Sequence, residues 1–278
     1  MILVTGANGQ LGGDVCRILK SQNKDCIPTD ADTLDITDEK GVKAFFETHC
    51  IDAVIHCAAY TAVDKAEDER EKCFLINEAG TQNLALCAEA NGAKMLYVST
   101  DYVFNGEGQT PFDVNDPKGP LNVYGESKLR GEKAVLESCK RAFVVRTSWV
   151  FGEKNTNFIA TMLRLSETHN EVNVVCDQIG SPTYSKHLAR LLCKMISTEK
   201  FGVYHATNEG FCSWAELARE AFSVAGKTTK VNSVLSSEYK TKAKRPLNSR
   251  LSKISLDKSG FGRLPEWKAA VKEYILNM

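Results

Sequence analysis

The chain has 278 residues, 43% of them apolar, and its 35 basic and 35 acidic side chains cancel. That length supports one large core or two modest ones, and a net charge of zero supplies no long-range field to recruit nucleic acid or a membrane surface. No apolar run approaches the roughly 20 residues that span a bilayer, and the ten cysteines contain no C-x-x-C pair, so zinc knuckles and dithiol redox motifs are excluded.

The first element is an apolar run, Met1 to Thr5, ending at glycine as a buried parallel strand would. It leaves no room for a signal peptide, and with scattered cysteines on apolar faces it leads us to expect a cytoplasmic protein with reduced thiols. Gly6-Ala7-Asn8-Gly9-Gln10-Leu11-Gly12 follows, then helical periodicity at Val15, Ile18 and Leu19. Strand, glycine turn and helix are the context of a dinucleotide-binding turn. Glycine lets the backbone approach a pyrophosphate, and the helix N-terminus supplies N–H groups. The spacing is G-x-x-G-x-x-G rather than G-x-G-x-x-G, which points to the short-chain dehydrogenase/reductase branch.

A second strand, Asp25 to Thr29, leads to Asp30, whose carboxylate is placed to accept ribose hydroxyls and to repel a 2′-phosphate. Asp32 and Asp35 compete for that role, and any of the three serves equally as a helix cap. The third strand, Asp52 to His56, runs into Cys57-Ala58-Ala59-Tyr60-Thr61, small residues that let a cofactor cross the sheet edge. His56 reads as a core hydrogen-bonding residue. A helix is expected over 64–90. The fourth strand, Lys94 to Ser99, ends at Thr100-Asp101-Tyr102-Val103-Phe104, where an open α/β sheet places its ligands. The stretch 105–122, with three glycines and three prolines, is long enough for a lid or binding loop.

Tyr124-Gly125-Glu126-Ser127-Lys128 opens the next helix. Tyr124 and Lys128 are four residues apart, hence one turn apart on one face. A nearby ammonium favours the phenolate and lowers the phenol's pKa, a pairing suited to moving a proton to or from a substrate oxygen. A fifth strand, Ala142 to Ser148, precedes Trp149. Strand–helix alternation through residue 150 predicts an α/β fold with a doubly wound parallel sheet. Beyond it the alternation loosens. Helices are expected over 158–165, 185–196 and 214–224, the last with a Ser213/Glu216 capping box, and strands over 172–176 and 203–206. We therefore read residues 1–150 as a dinucleotide-binding domain and 151–278 as a smaller, discontinuous substrate-binding domain, with later segments returning to the sheet.

Taken together, VTGANGQLG, AAYTAVDKAE, STDYVFNG, PLNVYGESKLRGE, VVRTSWVFG and DQIGSPT resemble the extended short-chain dehydrogenase/reductases, and within them the dTDP-4-dehydrorhamnose reductases, over nearly the whole chain. The resemblance implies a Rossmann-type fold and a catalytic group of Thr100, Tyr124 and Lys128. It implies NADH or NADPH held by Gly6, Asn8, Gly9, Gln10, Leu11, Asp30, Ala58, Ala59, Thr61 and Lys128. The nucleotide-sugar substrate would meet Asp101, Tyr102, Val103 and Trp149. Arg245-Pro246 stands where this family carries an Arg-Pro, so Arg245 is a candidate diphosphate contact. The implied reaction is reduction of a C4 ketone in dTDP-rhamnose biosynthesis. The alternatives are a nucleotide-sugar epimerase or dehydratase of the same fold, or a non-catalytic binding subunit such as the regulatory subunit of methionine adenosyltransferase. Some members hold magnesium at a dimer interface through glutamates, for which no match is assigned here, and magnesium binding stays open. No metal ligands are assigned, and a homodimer stays open.

Overall fold

The computed structural model describes residues 1–278. Six strands form one sheet: β1 (Ile2–Thr5), β2 (Cys26–Thr29), β3 (Ala53–His56), β4 (Lys94–Thr100), β5 (Ala142–Thr147) and β6 (Gly202–His205). Their order is β6-β5-β4-β3-β1-β2, and every neighbouring pair is parallel. Successive strand side chains point to opposite faces, and both faces of this sheet are buried. Val4, Ile55, Leu96, Phe143 and Val145 pack on one side with Val15, Leu19, Leu188 and Leu192. Leu3, Val54, Met95, Tyr97 and Val144 pack on the other with Val42, Phe46, Leu84 and Val135. Continuous apolar runs are what a parallel sheet covered on both sides requires.

The helices that matter for the site are α1 (Gln10–Ser21), α2 (Val123–Ser138), α3 (Ser185–Met195) and α4 (Trp214–Val224). The expected helix over 64–90 is instead three helices, Val63–Ala66, Arg70–Phe74 and Thr81–Ala90, the last two joined by a π-turn, Leu75–Gly80. Asn77 lies in that turn. Its amide accepts from Tyr60 N–H and donates to Tyr60 C=O and Ser127 Oγ, so it ties the chain after β3 to α2.

Residues after 150 do not form a sheet of comparable size. Glu171–Val175 pairs in parallel with Lys230–Val234, Val150–Phe151 with Thr183–Tyr184, and Ile179–Gly180 lies between Cys212–Ser213 and Asn248–Ser249. Two further cores form here, one around Phe151, Tyr184, Trp267 and Tyr274, the other around Val174, Ala218 and Phe222. The α4 capping box is present in both directions: Glu216 N–H donates to Ser213 Oγ and Ser213 N–H donates to Glu216 Oε2. β6 and α3 come from this later half yet complete the large sheet and its cover, so the division near residue 150 is crossed twice. No helix is long and apolar enough to cross a membrane.

Candidate active site

The C-terminal ends of β1, β3, β4 and β5 open onto one cleft of about 830 Å³, the size range of a ligand site. At one end lies the glycine turn. Gly6 has φ +66°, and a Cβ there would sit 2.7 Å from Ala58 N, so the turn after β1 presses against the chain after β3. Gln10, the first residue of α1, carries a buried Oε1 with no partner in the protein. A glycine turn at a helix N-terminus with an unused polar atom beside it fits a dinucleotide's phosphates.

Asp30 stands at the same end. Its Oδ2 accepts from Asn8 N–H at 3.0 Å and its Oδ1 from Ala31 N–H at 3.0 Å, so the carboxylate also braces the glycine turn. Gly6, Gly9, Gln10, Leu11, Asp30, Ala58, Ala59, Thr61 and Lys128 all line the cleft. Asn8 does not. It faces a neighbouring cavity with Arg17, Lys20, Lys24 and Lys154, and its carbonyl accepts from Asn155.

The other end is built by α2. Asn122 caps it by accepting from Gly125 N–H at 2.8 Å, and Glu67 accepts from Val123 N–H at 2.9 Å. Gly131 lets the helix lie close: a Cβ there would be 2.3 Å from the Tyr97 hydroxyl and 2.4 Å from Asn77 O. Lys128 is buried, donates to Val98 O at 2.7 Å, and sits 4.0 Å from the centre of the Tyr97 ring. Burial brings its ammonium down to about 7, against the opposing charge of Glu132 one turn along. Tyr124 meets Tyr102 edge to face at 5.7 Å. Burial pushes its phenol well up, against a hydrogen bond with Thr100. The lowering of Tyr124 expected from Lys128 is therefore not what this arrangement produces. Burial dominates, and the ammonium is directed at the Val98 carbonyl.

Thr100 Oγ1 accepts from Tyr102 N–H at 3.2 Å and donates to Asp101 Oδ1 at 3.0 Å. Asp101 is buried and its Oδ2 has no partner. Burial raises its carboxyl to about 6, offset in part by Ser249 and Thr100. Beneath the site, Glu132 takes two bonds from Arg146, at 2.8 and 2.7 Å, and one from Ser99 Oγ. Arg146 also donates to Val114 O and to His205 Nε2, which burial and the guanidinium keep neutral.

Two expected substrate contacts, Val103 and Arg245, do not line the cleft. Val103 is fully buried in a small core with Phe104 and Leu251. Arg245 is held by both oxygens of Asp64, at 3.0 and 2.7 Å, beside Tyr102 rather than in the cleft wall. Loop 105–122 is not free either: Asn248 donates to Glu107 O and Thr110 O, and Phe112 N–H donates to Arg250 O. Asp101, Tyr102 and Trp149 do line the cleft.

Residues that the sequence reading missed also line it: Thr147, Ser148, Asn155, Thr156 and Trp214. Trp214 stacks on Trp149 at 3.8 Å and donates Nε1–H to Gln178 Oε1. Trp149 is held at φ +50°, an uncommon conformation for a non-glycine residue. The available signal was an aromatic directly after the Ser213 cap, which on sequence reads equally well as core.

Comparison with known proteins follows the same line. Residues 1–278 match the family model described as the RmlD substrate binding domain. The spore coat polysaccharide biosynthesis protein SpsK of Bacillus subtilis is 42% identical, over 99% of this chain and 96% of its own. A dTDP-4-dehydrorhamnose reductase structure from Clostridium acetobutylicum superposes with a TM-score of 0.97 at 42% identity, covering 100% of this chain and 99% of the other. One from Bacillus anthracis, in complex with NADP, gives 0.97 at 40% identity with the same coverage.

Proposed function

The chain belongs to the RmlD family, and on that premise we propose that it is an NAD(P)H-dependent oxidoreductase of dTDP-rhamnose biosynthesis. It reduces the C4 ketone of dTDP-4-dehydro-6-deoxy-L-mannose to dTDP-L-rhamnose. The observation that carries this reading is one cleft holding both a glycine turn suited to a dinucleotide and the group Thr100, Tyr124 and Lys128.

Bound reduced nicotinamide supplies the hydride to the ketone carbon. The protein supplies the rest. Tyr124 gives its hydroxyl proton to the oxygen that gains charge, which favours reduction because burial keeps the phenol protonated. Lys128 carries the positive charge nearest in sequence on the same helix face, and Thr100 orients the Tyr124 hydroxyl. The tryptophan pair Trp149 and Trp214 forms an apolar wall for the sugar nucleotide. Arg245 would reach a diphosphate only by giving up Asp64. All ten cysteines are free thiols, which fits a reducing compartment, and we place the protein in the cytoplasm.

The test is Tyr124→Phe, assayed with dTDP-4-dehydro-6-deoxy-L-mannose and NADH or NADPH. Removing a positioned proton donor costs about two to four powers of ten in turnover, with cofactor binding kept. Wild-type turnover in this variant contradicts the assignment.

A further inference from the structure

The Thr100 hydroxyl has one proton and two lone pairs. One lone pair takes Tyr102 N–H, and the proton goes to Asp101 Oδ1. While Asp101 is a carboxylate, which only accepts, Thr100 has nothing left to donate. It can then receive a bond from Tyr124 but cannot give one to a substrate oxygen. If Asp101 carries a proton, the count reverses. Its O–H occupies the second lone pair of Thr100, and the threonine proton is freed toward the cleft.

The surroundings favour the neutral form. Asp101 is buried and no cation pairs with it, and the hydroxyls of Ser249 and Thr100 offset that burial only in part. A buried carboxylate without a cation is costly, and the neutral acid much less so. The groups packed around it are Tyr102 on its own turn, Tyr124 on α2 and Ser249 from the strand 248–249. None of them carries positive charge. Lys128, in the cleft, is engaged with Val98 O, and Arg245, outside its wall, with Asp64.

We propose that Asp101 works as a neutral carboxylic acid and is the positioning residue that turns the Thr100 hydroxyl toward the reacting oxygen. This rests on the reduction proposed above. Asp101 gives up no proton in the step; the proton that reaches the substrate is that of Tyr124. Activity in the reductive direction therefore falls as pH rises through the Asp101 ionisation, near 6 in the free enzyme, and this fall appears in kcat/KM. In kcat it lies at higher pH, because bound substrate excludes more water.

The experiment is the pH profile of wild type, Asp101→Asn, Asp101→Leu, Thr100→Val and the Thr100→Val/Asp101→Asn double variant. The asparagine amide donates to Thr100 at every pH, so the limb near pH 6 disappears and only the titration of Lys128, near 7, remains. Leucine cannot donate, and kcat falls about tenfold to a hundredfold, the worth of one hydrogen bond to a developing charge. Thr100→Val already lacks the limb near pH 6, so on that background Asp101→Asn leaves the shape of the pH profile as it is. Thermal melting confirms that each variant is folded. An unchanged limb in Asp101→Asn overturns the proposal.

A second readout does not depend on turnover. Infrared difference spectra of the intact protein at pH 5 should contain a protonated-carboxyl stretch that Asp101→Asn abolishes. Its absence refutes the neutral acid even if the enzyme turns over. Its presence in a protein inactive toward the sugar leaves the neutral acid standing and refutes the proposed reaction instead.

Discussion

Replacing Glu132 by glutamine tests whether the machinery under the active site is a true buried ion pair. Glu132 and Arg146 are 2% and 3% exposed, and the carboxylate takes two of the guanidinium's bonds. Glutamine keeps the volume but removes the charge and turns an NH2 group toward a cation that stays buried. Breaking such a pair on one side costs about 3–5 kcal/mol, a large share of the roughly 5–15 kcal/mol that holds a domain folded. At about 2–4 °C per kcal/mol for a chain of this size, the melting temperature falls by roughly 6–20 °C. The same change lowers Lys128 further, since Glu132 is the first of the influences opposing burial. The ammonium is then lost below pH 7, and the alkaline fall in kcat/KM moves to lower pH. Differential scanning fluorimetry and a pH–rate series read both effects. Glu132→Leu combined with Arg146→Met should recover most of the stability, because an apolar pair of similar volume is often neutral or stabilising. A Glu132→Gln melting point within about 2 °C of wild type would show that the pair contributes nothing beyond a surface contact.

Two further outcomes are expected. Asp30 sets a carboxylate beside the ribose end of the cleft, so NADH is used at least as well as NADPH, and Asp30→Ala shifts the ratio of their kcat/KM values toward NADPH by about tenfold; a strong wild-type preference for NADPH means that the carboxylate serves only to brace Asn8. Trp214→Ala removes the stack that holds Trp149, worth about 0.5–1.5 kcal/mol, so KM for the sugar nucleotide rises about twofold to tenfold while KM for the cofactor stays put; equal changes in both would show a general loosening of the site.

The parts of the fold legible in the sequence are those carried by short-range pattern. β1 with its glycine turn and α1, the fourth and fifth strands to within one residue of their ends, and the Tyr124–Lys128 helix all follow from periodicity and local turn chemistry over a few residues. The break at Leu75–Gly80 was not legible, because Asn77 is held there by Tyr60 and Ser127, partners 17 and 50 residues away. Face was the second blind spot. Val103 and Tyr102 are adjacent in one motif, yet one enters the core and the other the cleft. Arg245 was placed by its charge and by the Arg-Pro of the resemblance, neither of which reveals that Asp64, 181 residues earlier, holds the guanidinium. Trp214 escaped because an aromatic at a helix start looks the same whether it packs against core or against a second tryptophan at a ligand site.

The most direct test of the central claim is the cofactor balance of the purified protein with dTDP-4-dehydro-6-deoxy-L-mannose. A reductase must exchange cofactor at every turnover, so one NADH or NADPH is oxidised for each sugar converted, and the product is dTDP-L-rhamnose. Absorbance at the reduced-nicotinamide band and chromatography of the sugar nucleotides give the two numbers together. Sugar converted without net oxidation of cofactor would contradict the account in favour of an epimerase or dehydratase, and ligands bound but unaltered would contradict it in favour of a binding subunit.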